Sequence, residues 1–414
     1  MKRRDFLKVA GAISLAGCAT AGSAPSKARV VVIGAGFGGA TAAKYIRLWD
    51  SSIDVVLIER DPEFISCPIS NLVLAGYTSM REISNDRSGL KRHGVQLVRD
   101  EAVAIDAAKK SVRLASGGEI AYERLIVSPG IDFTFGEVQG YEAAMQSGKV
   151  LHAWKAGPQT VALRKQLEEM PDGGVYLLSV PTAPYRCPPG PYERASVVAA
   201  YLKQAKPRAK VVVLDANPDV TSKPGLFKAA WKDLYPNLEY HGNAKVVAVE
   251  SGAVRTDFDT VRGDVLNVVP PHGAGNIARQ AGLVTTGNRW CDVDWRTMES
   301  KAVKGVHVLG DATLAASGMP KSGSMANNHA KIAAAAIVDL LNGREPQPLQ
   351  IINTCYSFVS EKEAIRVSSV HRWEPSQGTL LPVKGSGGVS AARSEAEGTY
   401  AWNWARTIWA DSLS

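Results

Sequence analysis

The sequence predicts an α/β chain with two dinucleotide-binding-type (Rossmann-like) domains and a small C-terminal α+β domain. Three observations carry this. The run Val30-Val31-Val32-Ile33 leads into Gly34-Ala35-Gly36-Phe37-Gly38-Gly39 and then into a segment of helical composition. A second strand–helix–strand pattern recurs after about residue 174, and from about residue 349 the composition shifts and tryptophans accumulate. At 414 residues the chain has room for two or three domains of about 150 residues each.

In the first unit each glycine has a task. Gly34 permits the tight turn, Gly36 lets the backbone approach a pyrophosphate, and Gly39 lets helix and strand pack closely. The helix N-terminus turns free N–H groups and a partial positive charge toward the phosphates. Val55-Val56-Leu57-Ile58 is the next strand, and it ends in Glu59 and Arg60. Glu59 stands where a ribose-binding carboxylate belongs. Residues 96–98 read as a strand, with an adenine-side turn at 102–105 around Val103. Residues 112–122 read as a hairpin about Ser116-Gly117-Gly118. The strand at 124–127 ends in Ser128-Pro129-Gly130, small residues suited to lie beside a pyrophosphate.

The second unit runs from a helix at 157–170 through strands at 174–178 and 210–215, with a helix at 192–204 between them. Its turn is Val180-Pro181-Thr182-Ala183-Pro184-Tyr185-Arg186-Cys187-Pro188-Pro189-Gly190-Pro191, not a glycine loop. Proline lacks the N–H that would cradle a phosphate. This unit is therefore expected to be NAD-binding-like in fold and degenerate in function. A further strand, 306–309, runs into Gly310-Asp311-Ala312. There Asp311 can accept hydrogen bonds from the ribityl hydroxyls of FAD while Gly310 admits the cofactor. Lys321, Ser322 and Gly323 then open a helix over 325–342, capped by Ser322 or Ser324, whose dipole can face a flavin. The resulting division is 28–150 with 282–348 for FAD, 151–281 for the degenerate unit, and 349–414 at the C-terminus.

Charge and targeting narrow the function. The net charge is +8, of which +3 falls in the first eight residues, and no basic run is interleaved with aromatics. Nucleic acid is not an expected partner. Arg3-Arg4-Asp5-Phe6-Leu7-Lys8 resembles a twin-arginine export signal within residues 1–27, and an apolar stretch too short to span a bilayer follows it. The ending is either a small-residue cleavage site at Ala19-Thr20-Ala21 or a lipobox that would lipidate Cys18. Either ending implies a periplasmic protein. No CxxC, CxxCH or histidine-pair metal spacing occurs, so neither haem nor metal is expected on this chain. In an oxidising compartment the five cysteines can form a bridge, but spacing alone leaves the pairing open.

Several stretches together resemble one family. They are residues 38–46, His152-Ala153-Trp154-Lys155-Ala156-Gly157, residues 185–195 around Arg186-Cys187-Pro188-Pro189-Gly190-Pro191, Met319-Pro320-Lys321-Ser322-Gly323, and Asn353-Thr354-Cys355-Tyr356-Ser357. From about Arg29 onward the chain is similar to the flavoprotein subunit of flavocytochrome c sulfide dehydrogenases, which are related to sulfide:quinone oxidoreductases. The resemblance implies a disulfide-reductase type of flavoprotein that oxidises hydrogen sulfide. It makes Cys67 the residue linked to the flavin 8α-methyl and Cys187 with Cys355 the redox disulfide. It also supplies the haem on a separate c-type cytochrome subunit. Glu193, six residues past Cys187, is placed to move protons near the site, and Cys291 is left as a buried thiol. The rival readings are a sulfide:quinone oxidoreductase, a flavoprotein partner of a thiosulfate-oxidising sulfur carrier, an NADH-dependent reductase and a non-enzymatic flavoprotein.

Overall fold

The computed structural model describes residues 26–414. The export signal and Cys18 lie outside the described residues. The first apolar run becomes the strand Ala28–Ile33, and its glycine turn starts the helix Phe37–Trp49. That strand is the middle of five parallel strands, in the order Val306–Val308, Arg124–Val127, Ala28–Ile33, Ile53–Ile58, Val95–Val98. Two short antiparallel strands, Glu299–Ser300 and Val293–Asp294, extend one edge. Such strands are covered on both faces, which is why Val30, Val31 and Val32 are apolar without alternation and wholly buried.

A second parallel sheet orders Leu238–His241, Lys210–Asp215, Val175–Val180 and Val265–Val268. Each parallel sheet has a three-stranded antiparallel companion: Ala102–Asp106, Ser111–Leu114 and Glu119–Ala121 in one case, Val246–Glu250, Ala253–Thr256 and Thr260–Arg262 in the other. Residues 102–105, expected as a turn, are therefore strand. Ala102, Ala104, Ile105 and Asp106 pair there with Ser111–Leu114, and the register shifts between Ala102 and Ala104, where Val103 stands unpaired. The short pair Ile131–Phe133 and His272–Ala274 ties the chain's exit from the first unit to its return from the second.

A third, antiparallel sheet begins with Ile351–Phe358 and Ala364–Glu374. It is closed by the helix Glu395–Leu413, which packs against Phe37–Trp49. Trp409 is buried and Trp402 and Trp404 are partly so, consistent with core use of these side chains. Among the described residues no helix is long and apolar enough to cross a membrane.

Candidate functional site

A cavity of about 870 Å³ opens where the three sheets meet. Its first wall is the glycine turn. Gly34 has φ +89°, and a Cβ there would stand 2.4 Å from the carbonyl oxygen of Ser128. Gly36 caps the helix Phe37–Trp49 with no side chain over the first-turn N–H groups, and a Cβ there would meet nothing within 4 Å. The turn thus leaves both donors and space. Gly39 does not line the cavity. A Cβ on it would fall 1.8 Å from the Gly34 oxygen, so it serves the helix–strand contact and not a ligand.

Glu59 binds the turn from the next strand. Its Oε2 accepts from the Ala35 N–H at 2.7 Å and its Oε1 from the Asp61 N–H at 3.0 Å. Arg87 completes this wall, although nothing in the sequence marks it. Its guanidinium is buried and donates to the carbonyls of Ala35, Asp61 and Glu63 at 3.1, 3.0 and 3.2 Å, and it stands 3.8 Å from Glu59. Arg60 lies at the mouth in an exposed pair with Glu101. Val103, Ser128 and Gly130 all face the cavity.

The opposite wall comes from Gly310, Asp311 and the helix Gly323–Leu341. The helix starts two residues earlier than expected because Ser322 caps it, accepting from the Met325 N–H at 3.1 Å. Ser322 and Gly323 face the cavity, so the positive end of the helix points into it. Asp311 also lines the cavity, and its Oδ1 is buried without a partner. Burial pushes its carboxyl above the usual range, with Arg186 and Lys321 pulling the other way. Lys321 is the exception among the expected cofactor residues. Its side chain turns away from the cavity, donates to the carbonyls of Asp311 and Thr313, and lies 3.6 Å from the Trp290 ring centroid. An ammonium here satisfies the backbone of the turn and a π-face at once, which holds it beneath the cavity floor.

Three thiols face the same cavity. Cys67 accepts from the Ala156 N–H at 3.5 Å. Cys187 sits in the left-handed region at φ +59°, strained for a non-glycine residue. Its N–H donates to the Lys321 carbonyl at 2.8 Å, and its own carbonyl accepts from Gly190 at 2.9 Å, which fixes the sulfur against the start of helix Gly190–Ala205. Cys355 lies in the strand Ile351–Phe358, with its sulfur 3.4 Å from Asn353 Oδ1. Both sulfurs are free thiols in this structure, that of Cys355 directed to Asn353. Burial raises the pKa of each, and Cys355 and Glu193 raise that of Cys187 further. Cys291 is a buried thiol pushed up to about 12, outside the cavity lining.

Glu193 joins the thiols from below. Its Oε1 accepts from the Phe358 N–H and its Oε2 from Asn71 Nδ2, both at 2.8 Å. Burial lifts its pKa. The carboxylate therefore both stitches three segments together and lines the cavity.

The corresponding acid of the second unit, Asp215, has no free face. Tyr192, Tyr240 and the N–H and side-chain amide of Asn217 all donate to it, at 2.7–2.9 Å. Pro188 and Pro189 stand in the turn before helix Gly190–Ala205 and Pro191 in its first turn, each in place of an N–H donor.

The open glycine turn, the unpartnered Asp311 oxygen and the helix terminus facing it are what a dinucleotide carrying a flavin requires. Residues 28–162 match the pyridine nucleotide-disulphide oxidoreductase family. Residues 160–270 match the central part of the sulfide dehydrogenase [flavocytochrome c] flavoprotein chain, and residues 347–413 its flavin-binding part. A flavoprotein chain of this kind from Chlorobaculum thiosulfatiphilum is 58% identical over 45 residues, 11% of this chain and 94% of the relative. The mitochondrial sulfide:quinone oxidoreductase of Dictyostelium discoideum is 24% identical over 301 residues, which is 69% of this chain and 65% of that protein's length. The crystal structure of the sulfide:quinone oxidoreductase from Aquifex aeolicus superposes with a TM-score of 0.77 at 18% identity, over 93% of this chain and 91% of that one. The chain belongs to the family of flavocytochrome c sulfide dehydrogenase flavoprotein chains, a relative of the sulfide:quinone oxidoreductases.

Proposed function

We propose that this chain is an FAD-dependent sulfide dehydrogenase that oxidises hydrosulfide at the Cys187/Cys355 pair and passes the electrons to a c-type cytochrome subunit. One observation carries the reading. Two cysteines from segments far apart in sequence face, together with a buried carboxylate, a cavity whose other end is a dinucleotide cradle. Bound FAD supplies a two-electron acceptor.

The chain's residues supply the rest. Gly34, Gly36 and the N-terminus of Phe37–Trp49 would hold the pyrophosphate, Glu59 the ribose, Asp311 the ribityl hydroxyls, and the Gly323–Leu341 terminus the flavin edge. Cys67 would tie the flavin covalently. With Cys187 and Cys355 bridged, hydrosulfide is the soft nucleophile and a bridge sulfur its electrophile. One cysteine becomes a persulfide and the other leaves as thiolate. Glu193, whose pKa is raised by burial, lies beside the pair and serves hydrosulfide and product as a proton carrier. The occupied Asp215 and the proline-filled turn argue against NADH as reductant. Export through the Arg3-Arg4 signal would put the chain in the periplasm.

A quinone acceptor is the second reading. Tyr356, Phe358 and Trp404 line the cavity along with Cys355, and such apolar surface suits a ring. The test is anaerobic titration with sulfide, following flavin absorbance, with NADH in parallel. Bleaching by sulfide that disappears in Cys187→Ser supports the reading. Bleaching by NADH alone contradicts it. Reoxidation by cytochrome c or by a short-chain quinone then separates the two acceptors.

A further inference from the structure

One buried cation beside the thiols has no part in the chemistry above. Lys223 precedes the helix Pro224–Leu234 at φ +54° and is 5% exposed. A non-glycine residue in the left-handed region carries backbone strain, and an ammonium drawn out of water carries a desolvation cost. Both costs fall on one residue whose side chain points at the redox strand. Its Nζ donates to Ser357 Oγ at 2.9 Å and to the Cys355 carbonyl at 3.4 Å, and lies 5.6 Å from the Phe227 ring centroid.

The acids that face Lys223 are committed elsewhere. Glu193, from helix Gly190–Ala205, accepts from Phe358 and Asn71. Glu397, from helix Glu395–Leu413, accepts from Ser390 and stands 3.5 Å from Arg366. Cys187 faces it from the proline-rich turn, but the ionisable group that acts on Lys223 most strongly is Cys355.

We propose that Lys223 is a positioning residue that holds a positive charge behind Cys355 and makes that sulfur the one that leaves as thiolate when the Cys187–Cys355 bridge opens. The proposal rests on the reading of these two cysteines as the reacting pair. Hydrosulfide attacks the Cys187 sulfur, a new S–S bond forms there, and the old bridge breaks with its electron pair on Cys355. One negative charge enters as hydrosulfide and one remains as thiolate, so the step needs no proton. A fixed cation, rather than an acid, is what such a leaving sulfur requires. The electrostatics agree with this placement. Burial lowers Lys223 to about 8 and raises Cys355, and Lys223 is the strongest influence opposing the rise at Cys355.

The holoenzyme carrying Cys187→Ser isolates Cys355. The ultraviolet absorbance of its thiolate, taken as the difference from the C187S/C355S double variant, gives a titration midpoint. Adding Lys223→Met should raise that midpoint by about one pH unit or more, at unchanged plateau amplitude. Lys223→Arg should restore most of the shift. Ser357→Ala, which releases the ammonium without removing it, should give a smaller rise and stands in if Lys223→Met does not fold. A midpoint unmoved by either substitution overturns the proposal. Flavin bleaching by sulfide is read separately. A moved midpoint without bleaching sinks the sulfide reading alone, and bleaching with an unmoved midpoint sinks the role of Lys223 alone.

Discussion

Asp311 offers a carboxylate oxygen to the cavity with no partner in the protein, while burial opposes its charge. A ligand hydroxyl donating there would satisfy an otherwise costly atom, a gain of about 1.5–3 kcal/mol for a hydrogen bond to a charged group. Asp311→Ala in a Cys67→Ala background, where flavin can be held only without a covalent link, should weaken flavin binding by roughly tenfold or more. Flavin fluorescence on equilibrium dialysis measures this, and unchanged affinity would remove Asp311 from the cradle. Lys321 makes a different prediction. Burial lowers its pKa to about 7 from the 10.5 of an exposed lysine. Between those values the unfolded chain binds the extra proton, so stability should rise with pH by up to about 1.4 kcal/mol per unit across that window. Lys321→Met should lack this component, as read from denaturant midpoints at pH 7, 8 and 9. Asp311 was legible because an apolar strand ending in Gly-Asp-Ala has few other uses. The inward turn of Lys321 was not, because a motif gives a residue's place and not its rotamer. Arg87 and Lys223 left no trace in sequence: each is a lone basic residue among turn-forming neighbours, indistinguishable there from a solvated one.

The glycine turn separates two roles that look alike in sequence. At Gly39 a Cβ would overlap the Gly34 oxygen, whereas at Gly36 it would project into open cavity. Gly39→Ala should therefore cost about 1–3 kcal/mol of stability by forcing helix and strand apart. Gly36→Ala should leave stability nearly unchanged and reduce flavin content. Urea unfolding and the flavin-to-protein absorbance ratio test both, and equal effects at the two positions would contradict this division. Element identities were readable from periodicity and strand-ending small residues. Boundaries were less so. Helix Gly323–Leu341 begins at Gly323 because Ser322 caps it, although Gly323 and Ser324 are weak helix formers. Residues 102–106 pair as a strand because Ser111–Leu114 lies alongside, a tertiary fact.

At the scale of the molecule, the site exists because three sheets converge. Cys67 enters after the first sheet, Cys187 from the proline-rich turn of the second and Cys355 from the third. Spacing could not join Cys187 to Cys355, since their approach depends on how the sheets pack. The resemblance to a known family named the pair, and the structure brings both to one cavity as thiols. The second parallel sheet keeps the shape of a nucleotide-binding unit while Asp215 and the prolines spend its binding groups on internal contacts. What remains is a stiff support for Cys187. In the proposed reaction sulfide attacks this cysteine pair and not the flavin directly. The most direct test mixes oxidised enzyme anaerobically with one equivalent of sulfide, quenches with an alkylating agent and measures the mass of the cysteine peptides. One added sulfur on the Cys187 peptide, appearing together with flavin bleaching, is the predicted result. Flavin bleaching with no sulfur on either the Cys187 or the Cys355 peptide would contradict it.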